Sequence, residues 1–319
     1  AWVILYPIYH LCTRKTLVRK EIIKKGIDGK GIVGKEKKVR FLKKRVVFGR
    51  VAEYLLWVYA WFYIAWGLNY SQPNIYDRTG MKPVKVSEAK FKAFAYQYAD
   101  SLNALSISEK SFFSDSIADD GLKNRVWDAI LKEYNKIGYK EGINAPFNQH
   151  PHAKTMVFTP ISSMSGVTGS MGPFFCEFTL NGDILPHDYP ATYAHEFAHF
   201  LGVANEGEAN FYSYIVCTAS ADKQVRFSGY YHIFFHVLNN VFDILGEKEG
   251  ERFLKYIRPE IIQLAKSDRH YWLSKRCKVL DAAQDFIFDF YLKGNHVAEG
   301  RKSYSDVIGL ILAWNEKKE

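Results

Sequence analysis

A chain of 319 residues with 48% hydrophobic and 24% charged side chains has the balance of a folded protein, which excludes wholesale disorder. Four cysteines exclude a disulfide-dense scaffold, and the slightly negative mean hydropathy excludes a protein that is mainly intramembrane. The formal charge is +9, but residues 13–50 hold fifteen Lys and Arg against Glu21, Asp28 and Glu36, a net +12. The rest of the chain therefore carries −3, so the basicity belongs to one segment.

That segment has apolar neighbours on both sides. Before it lie residues 1–12, a twelve-residue run ending at Cys12 that is too short to cross a bilayer and reads as the end of a truncated transmembrane helix. After it, Val51 to Leu68 are apolar or aromatic apart from Glu53. Eighteen helical residues rise roughly 27 Å, about a bilayer core. The expectation is a transmembrane helix over 51–70, with Trp57, Trp61, Trp66, Tyr63 and Tyr70 as interface anchors. The basic loop 13–50 then lies in the cytoplasm, and residues 71–319 form an extracytoplasmic domain. A nucleic-acid partner is not expected, because the basic run lacks a folded, aromatic-interleaved module.

Residues 71–85, with Pro73, Gly80 and Pro83, read as a linker or strap. Apolar spacing predicts helices over 86–104 and 120–138. From 154 to 181 the texture changes to short strands with glycine turns, and Phe174 to Leu180 is either an edge strand for an extended peptide or an ordinary core strand. Beyond Pro190 the pattern is largely helical. The fold class is α+β, helix-dominated, with a small sheet.

The chemistry concentrates between Asp188 and Asn210. His195-Glu196-Phe197-Ala198-His199 is an H-E-x-x-H motif. On a helix, two histidines four apart share a face and can both ligate one zinc ion. Glu196 projects about 100° away and can reach a metal-bound water as general base. Asp188 and Pro190 are start signals for that helix and Gly202 is a stop signal. A third ligand is needed. Glu206 is the choice, with Asn210 one turn on as a partner for a histidine; Glu208 is the second candidate, although Asn205 and Glu208 also form a capping box. Tyr230, Tyr231, His232 and Arg226 are candidates to stabilise an oxyanion. Of these, Tyr230 and His232 join Glu196 as the expected catalytic residues.

Four segments carry a likeness to a known family: Trp66 to Tyr70; Phe174 to Asn181; His195 to Asn210, with its H-E-x-A-H…E-x-E-A-N pattern; and Tyr291 to Asn295 with Gly300 to Tyr304. On these the chain resembles the bacterial membrane proteins known as DUF3810, placed among the zincin-like metallopeptidases. The resemblance implies a zincin-like, gluzincin-like domain behind N-terminal transmembrane helices, zinc as cofactor and hydrolytic chemistry. The family commonly has a charged residue near the position of Asn205 and an acidic one near Gly207, and this chain departs at both.

The expected activity is that of a membrane-anchored zinc metallopeptidase at the bacterial cytoplasmic membrane, with a peptide or protein substrate and membrane lipid as partners. The alternative is a metal-stabilised sensor or scaffold that binds peptides or envelope material without cleaving them. Cys176, Cys217 and Cys277 cannot all pair, and Cys217 reads as a small buried hydrophobe. His150 and His152 flank Pro151 in a loop, and His232 and His236 share a helix face.

Overall fold

The computed structural model describes residues 32–85, 87–106, 118–143, 153–172, 174–175, 177–277 and 307–318. The expectations for residues 1–12, His150, His152, Cys176 and the segments 291–295 and 300–304 fall outside them. The chain divides into two compact units, Ala1–Ile64 and Ala65–Glu319.

The described part of the first unit is one long helix, α1 (Ile32–Ala65), whose last residue begins the second unit. Its first half is dominated by Lys and Arg and its second half by apolar and aromatic residues. The expected span over 51–70 is corrected here. The helix stops at Ala65, and Gly67–Ser71 form a separate 3-10 turn. No described helix is long and apolar enough to cross a membrane. Arg50 and Glu53 sit at the start of the apolar stretch, and Tyr54, Trp57, Tyr59, Trp61 and Tyr63 stand where a spanning helix would carry aliphatic residues. Phe48, Leu56, Trp57 and Ile64 are all exposed.

The second unit is helix-dominated with one small sheet, as composition and periodicity predict. The strap over 71–85 contains a short helix, α2 (Ile75–Thr79), closed by Gly80, and buries Ile75 and Met81. The two predicted helices are α3 (Glu88–Ser106) and α4 (Asp120–Ile137). Asp119 caps α4 by accepting from the Leu122 N–H, which satisfies one of the orphan donors of the first turn. The sheet comprises β1 (Lys154–Thr155), β2 (Gly169–Gly172) and β3 (Glu177–Leu180), with a short helix, α5 (Thr159–Met164), between β1 and β2. Its order is β1-β3-β2; β1 is parallel to β3 and β2 antiparallel, with Gly169 opposite Leu180 and Gly172 opposite Glu177. The strand within 174–180 is therefore central, paired on both sides, which is the core-strand reading and not the edge-strand one. Among the described residues, the strand beside the H-E-x-x-H helix with one unpaired edge is β2.

Then follow α6 (Tyr189–Phe200), α7 (Glu206–Ala219), α8 (Lys223–His232), α9 (Phe234–Leu245), α10 (Glu247–Tyr256), α11 (Pro259–Lys275) and α12 (Val307–Lys318). Helix α6 is the hub, with α4, α7, α8, β2 and β3 all packed on it. A helix surrounded in this way needs apolar or small residues nearly all round. Ala191, Tyr193, Ala194, Phe197 and Ala198 have no solvent exposure. Phe178 of β3 meets Tyr193 and Phe197 of α6 with ring centroids 5.4 and 6.4 Å apart, which locks the sheet to the helix.

Candidate metal centre

Pro190 occupies the first turn of α6, where its missing N–H costs nothing. At the other end, Gly202 adopts φ 96°, a left-handed conformation that favours glycine, and its N–H donates to the His199 carbonyl. The chain then reverses, and the Val203 N–H donates to the Ala198 carbonyl. This corner turns the Val203 carbonyl toward His199, 2.7 Å from Nδ1. Two residues on, Asn205 caps α7 through the Glu208 N–H and sets Glu206 as the first residue of the helix.

The turn brings three donor atoms together. His195 Nε2 lies 3.1 Å from His199 Nε2 and 3.1 Å from Glu206 Oε2, and His199 Nε2 lies 3.5 Å from the same oxygen. The acceptors behind the rings set their tautomers. His199 Nδ1 donates to the Val203 carbonyl, and His195 Nδ1 donates to Asn210 Oδ1 at 2.8 Å. Both Nε2 lone pairs therefore face Glu206. Three acceptors at such separations repel unless a cation sits among them. The point equidistant from the three atoms lies roughly 1.9 Å from each, against ordinary zinc–nitrogen and zinc–oxygen bonds of about 2.0–2.2 Å. The donor set fits zinc, and each imidazole has the hydrogen-bonded outer partner that zinc ligands usually have.

The electrostatics agree. Burial raises the Glu206 carboxyl, but the neighbouring His199 and His195 outweigh it and hold the group well below the usual carboxylate range. Burial lowers His199, but Glu206 and Glu196 together lift it to about 9. Trp66, expected as a membrane anchor, is buried with its ring edge-on to His199, centroids 6.3 Å apart.

Glu196 is buried, 5% exposed, and its Oε2 has no hydrogen-bond partner among the described residues. Burial raises its carboxyl, against the pull of His199 and His195. Strand β2 presses on it so closely that a Cβ at Gly169 would lie 2.3 Å from Oε1. The sequence carries no signal for this contact beyond a glycine at the start of a strand.

Other expected site residues have contacts of their own. Glu208 forms an ion pair with Arg78 of α2 and does not join the histidines. Arg78 also donates to Gln72, which donates to the Gly202 carbonyl, so this tie braces the corner after α6. Tyr230 packs its ring on Tyr98 and Tyr214, and its backbone carbonyl accepts from the Tyr98 hydroxyl. Arg226 donates to the carbonyls of Ser220 and Ala221 beyond the end of α7. His232 does approach the centre. Its Nε2 is 3.0 Å from Asn210 Oδ1, and burial with the nearby His195 and His236 pushes its pKa down to about 3, so the ring is neutral. Cys217 is free and buried, as expected, and Cys277 is also free.

A second group, His187, Asp188 and Asp268, also brings three potential ligand atoms together. Here His187 Nε2 lies 2.9 and 3.0 Å from the two oxygens of Asp268, so that one N–H can be shared between them. The Tyr231 hydroxyl donates to the same carboxylate. The group is a clamp from α11 onto the residues entering α6.

A family model described as "Protein of unknown function (DUF3810)" matches residues 20–312. The chain belongs to the DUF3810 family. No curated protein and no solved structure matches it. For this DUF3810 chain, functional inference therefore rests on the geometry of the site.

Proposed function

We propose that this DUF3810 chain is a zinc-dependent peptidase of zincin-like type. The observation that carries the proposal is the convergence of His195, His199 and Glu206 beside a buried carboxylate, Glu196, with an oxygen free to take a proton. Zinc, when bound by those three residues, supplies Lewis acidity that activates water and polarises a carbonyl. Glu196 accepts the proton of the attacking water as its oxygen bonds to the carbonyl carbon. It then delivers that proton to the nitrogen as the C–N bond breaks, so the amine leaves neutral. The raised carboxyl of Glu196 favours the first step, in which it takes the proton from water. The edge of β2 that has no partner strand among the described residues, and that begins at the glycine touching Glu196, is where an extended peptide would add a strand. We place the chain at the bacterial cytoplasmic membrane. The support is the exposed aromatic and apolar surface from Val47 to Ile64 directly after the basic run.

The test is metal analysis of the purified chain and its Glu196→Gln variant, with a peptide-library digest of both. The expected result is equal zinc in each and loss of about 10²- to 10⁴-fold of turnover in the variant. Zinc bound equally with no cleavage by either protein would favour the non-cleaving sensor or scaffold, and identical digests would end the peptidase proposal.

A further inference from the structure

We infer that His232 is a positioning residue that makes His195 competent to ligate, acting through the amide of Asn210. The inference rests on the reading of His195, His199 and Glu206 as a metal centre and goes beyond it by explaining what keeps that centre in its ligating form.

The two histidine ligands are not held alike. His199 donates Nδ1–H to a backbone carbonyl, a group that is always an acceptor. Its Nε2 lone pair is committed to the centre by the fold. His195 instead faces a side-chain amide, which can present either its oxygen or its NH₂. With the oxygen forward, His195 carries its proton on Nδ1 and offers Nε2. With the NH₂ forward, His195 Nδ1 must accept, its proton moves to Nε2, and that N–H points at Glu206 Oε2, 3.1 Å away, and occupies the ligand position.

His232 decides between the two. Its Nε2 and His195 Nδ1 converge on the same atom, Asn210 Oδ1, at 3.0 and 2.8 Å. One carbonyl oxygen has two lone pairs and satisfies two N–H donors. If the amide turned over, both imidazole nitrogens would have to become acceptors together. The protonation sites of His195 and His232 are thus coupled through Asn210, in one arrangement that binds metal and one that blocks it. His232 as an Nε2–H donor selects the first. A carboxylate at 210 has no NH₂ end, so it would hold His195 correctly without help.

That difference separates positioning from packing. In the full 319-residue chain, zinc affinity is measured by chelator competition for the wild type, His232→Phe, Asn210→Asp and the double variant. The expected loss is about 10- to 100-fold for His232→Phe alone, the usual range for an outer-shell partner. In the Asn210→Asp background the same change costs less than about threefold. An equal loss in both backgrounds, or none in either, overturns the inference. Imidazole ¹⁵N shifts of the metal-free wild type give a second test that needs no variant to fold. They are expected to show His195 as the Nδ1–H and His232 as the Nε2–H tautomer; the opposite pair overturns the inference. A wild-type chain that takes up no zinc would sink the metal reading, while these shifts would still test the coupling.

Discussion

At the scale of single residues, the centre depends on which carboxylate meets the histidines. Glu206 and Glu208 lie two apart on α7 and so point to different sides of the helix. One faces His195 and His199, the other Arg78. Glu206→Gln is expected to weaken zinc binding by about 100-fold or more, since it removes a ligand where outer-shell changes cost 10- to 100-fold. Glu208→Gln is expected to leave zinc affinity intact and to lower stability by about 1–3 kcal/mol, through the partly buried partner left at Arg78. Chelator competition and urea unfolding of the two variants check this, and the reverse pattern would move the site to Glu208. Gly169→Ala tests the general base. The added methyl must displace the Glu196 carboxylate, which the flexible side chain can do at little cost in stability. Turnover is expected to fall about tenfold or more with zinc retained. Unchanged turnover would separate Glu196 from the chemistry.

At the scale of elements, the H-E-x-x-H helix is set by its ends and its neighbours. Asp188 occupies the cap position of α6 but makes no side-chain cap bond; its carboxylate faces His187 and Asp268 instead. Burial, opposed by His187 and reinforced by Asp268, pushes its pKa up to about 6 from 3.8. A carboxyl raised on folding prefers its protonated form in the folded state. Its ionisation therefore destabilises the fold as pH rises from about 4 to 6, by on the order of 1–3 kcal/mol once complete. Asp188→Asn is expected to be more stable than the wild type at pH 7 by that amount and indistinguishable from it at pH 4. Denaturant midpoints at the two pH values give the comparison, and a gap of the same size at both would contradict the linkage. The sheet is secured in another way. Phe178→Ala would empty a fully buried site against Tyr193 and Phe197 and is expected to cost about 3–5 kcal/mol, read from the same unfolding curves.

At the scale of the whole molecule, charge and apolar surface are separated along the chain. The basic run and the exposed aromatic stretch of α1 adjoin one another in the first unit, and the candidate metal centre belongs wholly to the second. If α1 meets lipid, Leu56→Glu with Trp57→Glu should lower partition of the full chain onto anionic vesicles at least tenfold, with zinc content unchanged. Equal sedimentation of variant and wild type with vesicles would remove lipid as a partner. Much of this organisation is legible without coordinates. The spacing of His195 and His199 places both on one helical face because 3.6 residues make a turn. Pro190, Gly202 and Asn205 mark helix ends through backbone chemistry that operates within a few residues. Helices α3 and α4 follow from apolar periodicity alone. What lay beyond the sequence was every choice settled by a partner far along the chain. Arg78 lies 130 residues from Glu208 and claims it; Gly169 of β2 reaches Glu196 of α6; β1 covers the edge of β3; His232 reaches Asn210 from another helix. Local spacing determines which side chains share a face, whereas the partner each face meets depends on long-range packing, which sequence periodicity does not encode.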